Sequence, residues 1–141
     1  MVSVRIVTRI RRDPAVVFDY FADLRNEPVW NRGHVRDTVM TSAPPIGLGT
    51  TFEGRHSWFG RATWRLSEYD RPHHLMIDGV VGRGTYVFVC DLSATADGCE
   101  LRSRVDWGPA GLVALLAPLL RPLLQFQAQR SFNRLRRVLE G

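Results

Sequence analysis

The sequence predicts an α+β fold: a seven-stranded, curved antiparallel sheet around one long C-terminal helix, with two short helices after the first strand. Three observations predict it. The chain opens on a strict two-residue alternation, with Val2, Val4, Ile6, Thr8 and Ile10 set against Ser3, Arg5, Val7 and Arg9. That is the mark of a strand with one wet face. The middle of the chain is a series of strand-like segments separated by turn chemistry. After Trp107-Gly108-Pro109 the apolar period changes to 3.6 and holds to Leu139.

Each element follows from local chemistry. Asp13 is a good N-cap, and Pro14 suits the first helical position, where no amide hydrogen is needed. Val17, Phe18, Phe21 and Ala22 then repeat at helical spacing. Asp23 supplies a second cap and Pro28 ends the run, so residues 13–31 read as two short helices instead of one. Strands are expected over residues 34–42, 50–59, 61–70, 74–80, 83–93 and 99–107, with turn chemistry at 43–49, 60, 70–72, 79–84 and 96–98. Connections this short make an antiparallel meander. A sheet with one apolar face needs a cover, and only the last element, about thirty residues at roughly 1.5 Å each, is long enough. A curved sheet gripping a single helix leaves space between them.

Size and composition fit one domain spanning residues 1–141. Hydrophobic residues make up 45% and charged ones 23%, which is ordinary for a globular chain. The formal charge is +5, and all nineteen basic residues are Arg. The one cluster, Arg130, Arg134, Arg136 and Arg137, reads as a solvated helix face, so no nucleic-acid partner is expected. Residues 1–13 contain no apolar stretch of signal-peptide type. The longest apolar run, residues 109–120, is too short to span a bilayer. A cytoplasmic protein is expected. Cys90 and Cys99 flank a hairpin turn, and Cys90 falls opposite roughly residues 102–105 at about 3.3 Å per residue, too far from Cys99 for a disulfide. Two free thiols are expected.

The segment DPAVVFDYFADLRNEPVWN resembles the opening motif of the START-like, SRPBCC superfamily, whose fold is called the helix-grip. The resemblance continues through PIGLGTTFEG (45–54), WRLSEYDRPHHL (64–75), DGCELRSRV (97–105) and RSFNRLRRVLEG (130–141). Within the superfamily the pattern is similar to the polyketide cyclase/dehydrase branch. The resemblance implies a cavity between sheet and helix with the short helices closing one end, which makes Trp30 either a core plug or part of the cavity wall. Members bind lipids, sterols, polyketides, hormones and quinones, or are catalysts, so fold alone does not choose among them.

Alternation then assigns side chains to the cavity. Phe52, His56 and Trp58 share the inward face of the third strand, and Trp64 points the same way from the fourth. Tyr86 and Phe88 come from the sixth strand, and Leu101, Ser103, Val105 and Trp107 from the seventh. The helix offers Leu116, Leu120, Leu123 and Gln127. The wall is aromatic and aliphatic with a few polar atoms, the usual makeup of a pocket for an apolar ligand held by one or two hydrogen bonds. The expected partner is a small hydrophobic molecule, polycyclic, polyketide-like or lipid-like. His56, the only histidine on an inward face, is the candidate acid/base of a cyclase or dehydratase, with Asp37 or Glu68 as conceivable orienting carboxylates.

Other chemistries find no support. His73 and His74 are adjacent on a strand and point to opposite faces, so they do not converge on a metal. Residues 79–84 are followed by a strand, unlike a phosphate loop. No metal and no cofactor are expected. GLVALLAPLL (residues 111–120) is apolar all round, which leaves open packing, a cavity wall, contact with a membrane or partner, or a homodimer in place of a monomer.

Overall fold

The computed structural model describes residues 1–141. Strand β1 (Val2–Ile10) alternates without a fault, every even-numbered residue buried and every odd one exposed. Helix α1 (Pro14–Ala22) starts where Asp13 accepts from the Ala15 amide at 2.8 Å. Asp23 ends it and caps a 3₁₀ turn (Leu24–Asn26) through the Arg25 amide. Helix α2 (Glu27–Trp30) follows. Pro28 lies within its first turn, so this proline begins a helix where the sequence pattern placed an end.

Six strands complete the sheet: β2 (Val35–Met40), β3 (Thr51–His56), β4 (Gly60–Asp70), β5 (His74–Val81), β6 (Gly84–Thr95) and β7 (Gly98–Gly108). Their order is β1-β7-β6-β5-β4-β3-β2, antiparallel throughout. The turn expected over 79–84 is shorter in the structure. Gly79 sits inside β5, where a side chain would run into the Thr63 carbonyl. The true β5–β6 turn is Gly82-Arg83, with Gly82 at φ +61°, a value glycine adopts freely. Trp58 leaves the strand as well, because β3 ends at His56 and residues 57–59 form a turn.

Helix α3 (Leu112–Glu140) runs unbroken through Pro118 and Pro122. Ser131, Phe132, Leu135 and Leu139 are buried in its second half, while Val138 is 39% exposed. The helix also docks along the edge strand. Arg121 Nε donates to the Ser3 carbonyl at 3.0 Å and Gln125 Nε2 to the Arg5 carbonyl at 2.8 Å. These two bonds satisfy β1 carbonyls on the edge of the sheet, which blunts it as a site of mispairing. Beyond the strand, Arg12 donates to the Leu139 carbonyl at 2.6 Å. The result is the seven-stranded helix-grip arrangement.

Cys90 and Cys99 are free and buried. Cys90 pairs with Ser103, whose hydroxyl donates to its sulfur at 3.4 Å.

Candidate functional site

The second half of α3 buries Ser131, Phe132, Leu135 and Leu139, whereas the first half buries only Ala117 and is tied to the sheet at its β1 edge through Arg121 and Gln125. Between α3, from Val113 to Phe132, and the sheet is a cavity of about 400 Å³, within the range of small-molecule sites. Hydrophobic residues make up 21 of the 27 in its wall, so it suits an apolar occupant.

The closed end is an aromatic knot. Trp30 stacks on Phe21 at 5.4 Å and meets Phe132 edge-on at 5.4 Å, while Phe21 lies 5.2 Å from Phe88. Trp30 is only 5% exposed yet also lines the cavity, so it is plug and wall together. All four tryptophans, Trp30, Trp58, Trp64 and Trp107, border the space. Gly54 leaves room for one of them, since a Cβ there would come within 3.0 Å of the Trp64 ring. A second hollow of about 250 Å³ adjoins the first, sharing Trp58, Phe59, Val81, Trp107 and Val113 and adding the exposed Arg83.

The structure brings Trp30, His56, Trp58, Trp64, Tyr86, Phe88, Val105, Trp107, Leu120, Leu123 and Gln127 to the wall. Four expected residues are elsewhere. Phe52 and Leu101 face inward but are wholly enclosed in the core, and Ser103 is spent on Cys90. They lie further along their strands, beyond the cavity. Leu116 is 55% exposed, because the inward stripe of α3 passes through Val113, Ala117, Leu120 and Leu124 and misses it.

Among the polar groups, His56 stacks on Phe59 at 5.0 Å, and its Nδ1 accepts from the Trp58 amide at 3.2 Å. A neutral ring with Nδ1 as acceptor carries its proton on Nε2. Burial, and after it the charge of His34, hold His56 below the ordinary histidine range, so the ring is neutral at pH 7. His34, also on the wall, is lowered by burial and by Arg134. Neither Asp37, exposed beside Arg36, nor Glu68, at 3.3 Å from the outward His74, borders the cavity.

The wall has one carboxyl, and it is Glu27. Its Oε1 accepts from Asn31 Nδ2 at 3.0 Å, and Asn31 Oδ1 in turn accepts from the Ser131 hydroxyl at 2.9 Å. Burial pushes Glu27 up to about 7 against the opposing pull of the Asn31 bond. Tyr86 is raised by burial and then by the Glu27 charge, with no hydrogen bond contributing. The sequence held a signal for Glu27. Leu24, Glu27, Trp30 and Asn31 are spaced to share one side of a helical turn, so an inward Trp30 takes Glu27 with it.

Residues 1–140 match the family described as Polyketide cyclase / dehydrase and lipid transport. The chain belongs to that family. No curated protein matches it significantly in sequence. Among solved structures, this polyketide cyclase/dehydrase family member is similar to protein TTHA0849 from Thermus thermophilus. The two share 14% identity at a TM-score of 0.75, over 97% of this chain and 96% of that one. Protein MLL2253 from Mesorhizobium loti is similar at 15% identity and TM-score 0.72, over 97% and 96%. Protein CV1439 from Chromobacterium violaceum gives 16% and 0.69, over 100% and 99%. At such identities these likenesses speak for the fold alone.

Proposed function

We propose that the protein binds a small hydrophobic ligand, polycyclic, polyketide-like or lipid-like, in the cavity between the sheet and α3. The observation that carries this reading is the cavity itself, about 400 Å³ of mostly apolar wall left unfilled by four neighbouring indoles. A ligand burying roughly 250 Å² of apolar area there gains about 6 kcal/mol before association costs, so micromolar affinity needs no special chemistry. Intrinsic tryptophan fluorescence tests it directly, because every tryptophan borders the site. Titration with aromatic polyketides, fatty acids, sterols and quinones gives a saturable change for at least one class. A flat response to all of them contradicts the reading.

A second reading is a polyketide cyclase or dehydratase that uses His56. The favouring observation is a neutral imidazole on the cavity wall whose Nδ1 is already engaged by a backbone amide. That tautomer presents Nε2–H, so His56 donates a hydrogen bond to the oxygen of a developing enolate while the proton stays on the ring. Turnover of a poly-β-ketone that collapses in His56→Ala and survives in His73→Ala supports this. Equal turnover in the two removes His56 from the chemistry.

A third reading, lipid or quinone handling at a membrane or partner surface, rests on the outer face of α3. There Leu112, Leu115 and Leu119 are about four-fifths exposed, next to cavity residues Val113, Leu120 and Leu123. Arg121, the nearby cation, is engaged with the Ser3 carbonyl. No helix is long and apolar enough to cross a membrane. Flotation with anionic vesicles that weakens in Leu115→Asp/Leu119→Asp supports the reading; no flotation of the parent protein rejects it.

A further inference from the structure

Three acceptors that border the cavity are engaged within the protein: Asn31 Oδ1 takes the Ser131 proton, Glu27 Oε1 takes an Asn31 proton, and His56 Nδ1 takes the Trp58 amide. Donors remain. Tyr86 has a hydroxyl with no protein partner among its perturbing groups, and the indoles can only donate. Glu27 has one oxygen beyond the Asn31 bond, and Asn31, which follows α2, is itself held by Ser131 of α3. A buried carboxyl in apolar surroundings favours its neutral form, and a neutral carboxyl is a donor too.

We propose that Glu27 is the specificity-determining residue of this cavity: in its carboxylic-acid form it donates a hydrogen bond to a carbonyl oxygen on an otherwise apolar ligand. The proposal rests on the cavity-binding reading above and adds to it a ligand group and a pH dependence. When Glu27 ionises, a donor becomes a second lone-pair-bearing anion beside the ligand oxygen, and the ketone is released. Tyr86 does not ionise in the same range, because burial and the Glu27 charge raise it further from neutrality. Its contribution stays constant with pH.

Other titratable groups face the same space. His34 and His56, from the segment before β2 and from β3, are both held below the ordinary histidine range and gain charge only on the acid side of neutrality. Arg134 on α3 opposes protonation of His34. Between pH 6 and 8 the group that changes most is therefore Glu27, which titrates at about 7.

The test uses two probes of nearly equal size, 1-tetralone and tetralin, which differ by one carbonyl oxygen. Calorimetric titration of the full chain at several pH values is expected to show tetralone affinity falling about tenfold from pH 6 to pH 8, as the competent form becomes scarce. Tetralin affinity stays flat. In Glu27→Gln the amide donates at every pH, so tetralone binding also becomes flat. If Glu27→Gln does not fold, isotope-edited infrared spectroscopy of the parent protein replaces it. A protonated carboxyl band at pH 6 that shifts on adding tetralone supports the assignment. Parallel pH profiles for the two probes overturn the role of Glu27 while leaving the cavity reading intact. A tetralone profile unchanged in Glu27→Gln, or no protonated carboxyl band at pH 6, does the same. Failure of tetralin and tetralone alike to bind overturns both.

Discussion

Replacing Glu27 with Gln changes stability by an amount that depends on pH, and the sign follows from the burial of the carboxyl. In the folded chain Glu27 titrates at about 7, against an ordinary value of 4.5 that the unfolded chain regains. Between those values the native state keeps a proton that the unfolded state has released. Stability therefore falls as pH rises from 4.5 to about 7 and stays low above it. At 1.36 kcal/mol per pH unit the penalty is roughly 3 kcal/mol at alkaline pH and absent in acid. Gln keeps the shape and the acceptor for Asn31 Nδ2, and it cannot ionise. Urea denaturation followed by tryptophan fluorescence is expected to find Glu27→Gln more stable than the parent by about 1–3 kcal/mol near pH 8.5, and within about 0.5 kcal/mol near pH 4. An equal difference at both pH values, or a loss at pH 8.5, refutes the buried, uncompensated carboxyl.

Two further outcomes follow from the packing. Trp30→Ala removes the plug that Phe21 and Phe132 both touch, and denaturation is expected to show a loss of about 3–5 kcal/mol. A loss below about 1 kcal/mol, roughly the cost of a surface change, would mean that the knot does not hold α2 against α3. Burial pushes the Cys90 thiol up to about 12 and Cys99 to about 11, so neither reacts with a thiol reagent in the folded protein. Both react on unfolding, and rapid native-state labelling would contradict their placement.

The architecture was legible because its signals are local. The β1 alternation predicts a burial pattern that the structure repeats residue by residue, and the hairpin count puts Cys90 opposite roughly residues 102–105, a span that contains its partner Ser103. The site was half legible for a physical reason. Alternation says which face of a strand a side chain takes, and it does not say how close α3 comes at that point. Val105 and Trp107 meet open space, whereas Leu101, on the same face of β7, is sealed in the core. Leu116 failed similarly, since a segment apolar on every side has no stripe to mark its inner face. Phe59 was missed because it lies in a turn, and Glu27 because acids are expected outside.

The cavity itself is tested most directly by filling it. Ala128 lines it from α3, and Ala128→Trp places an indole where a ligand would lie. Calorimetric titration with tetralin, with circular dichroism to show that the variant keeps its fold, is the deciding measurement. Saturable one-site binding in the parent that disappears in Ala128→Trp is the predicted result. Undiminished binding in the filled variant, or none in the parent, would contradict a ligand site between sheet and helix.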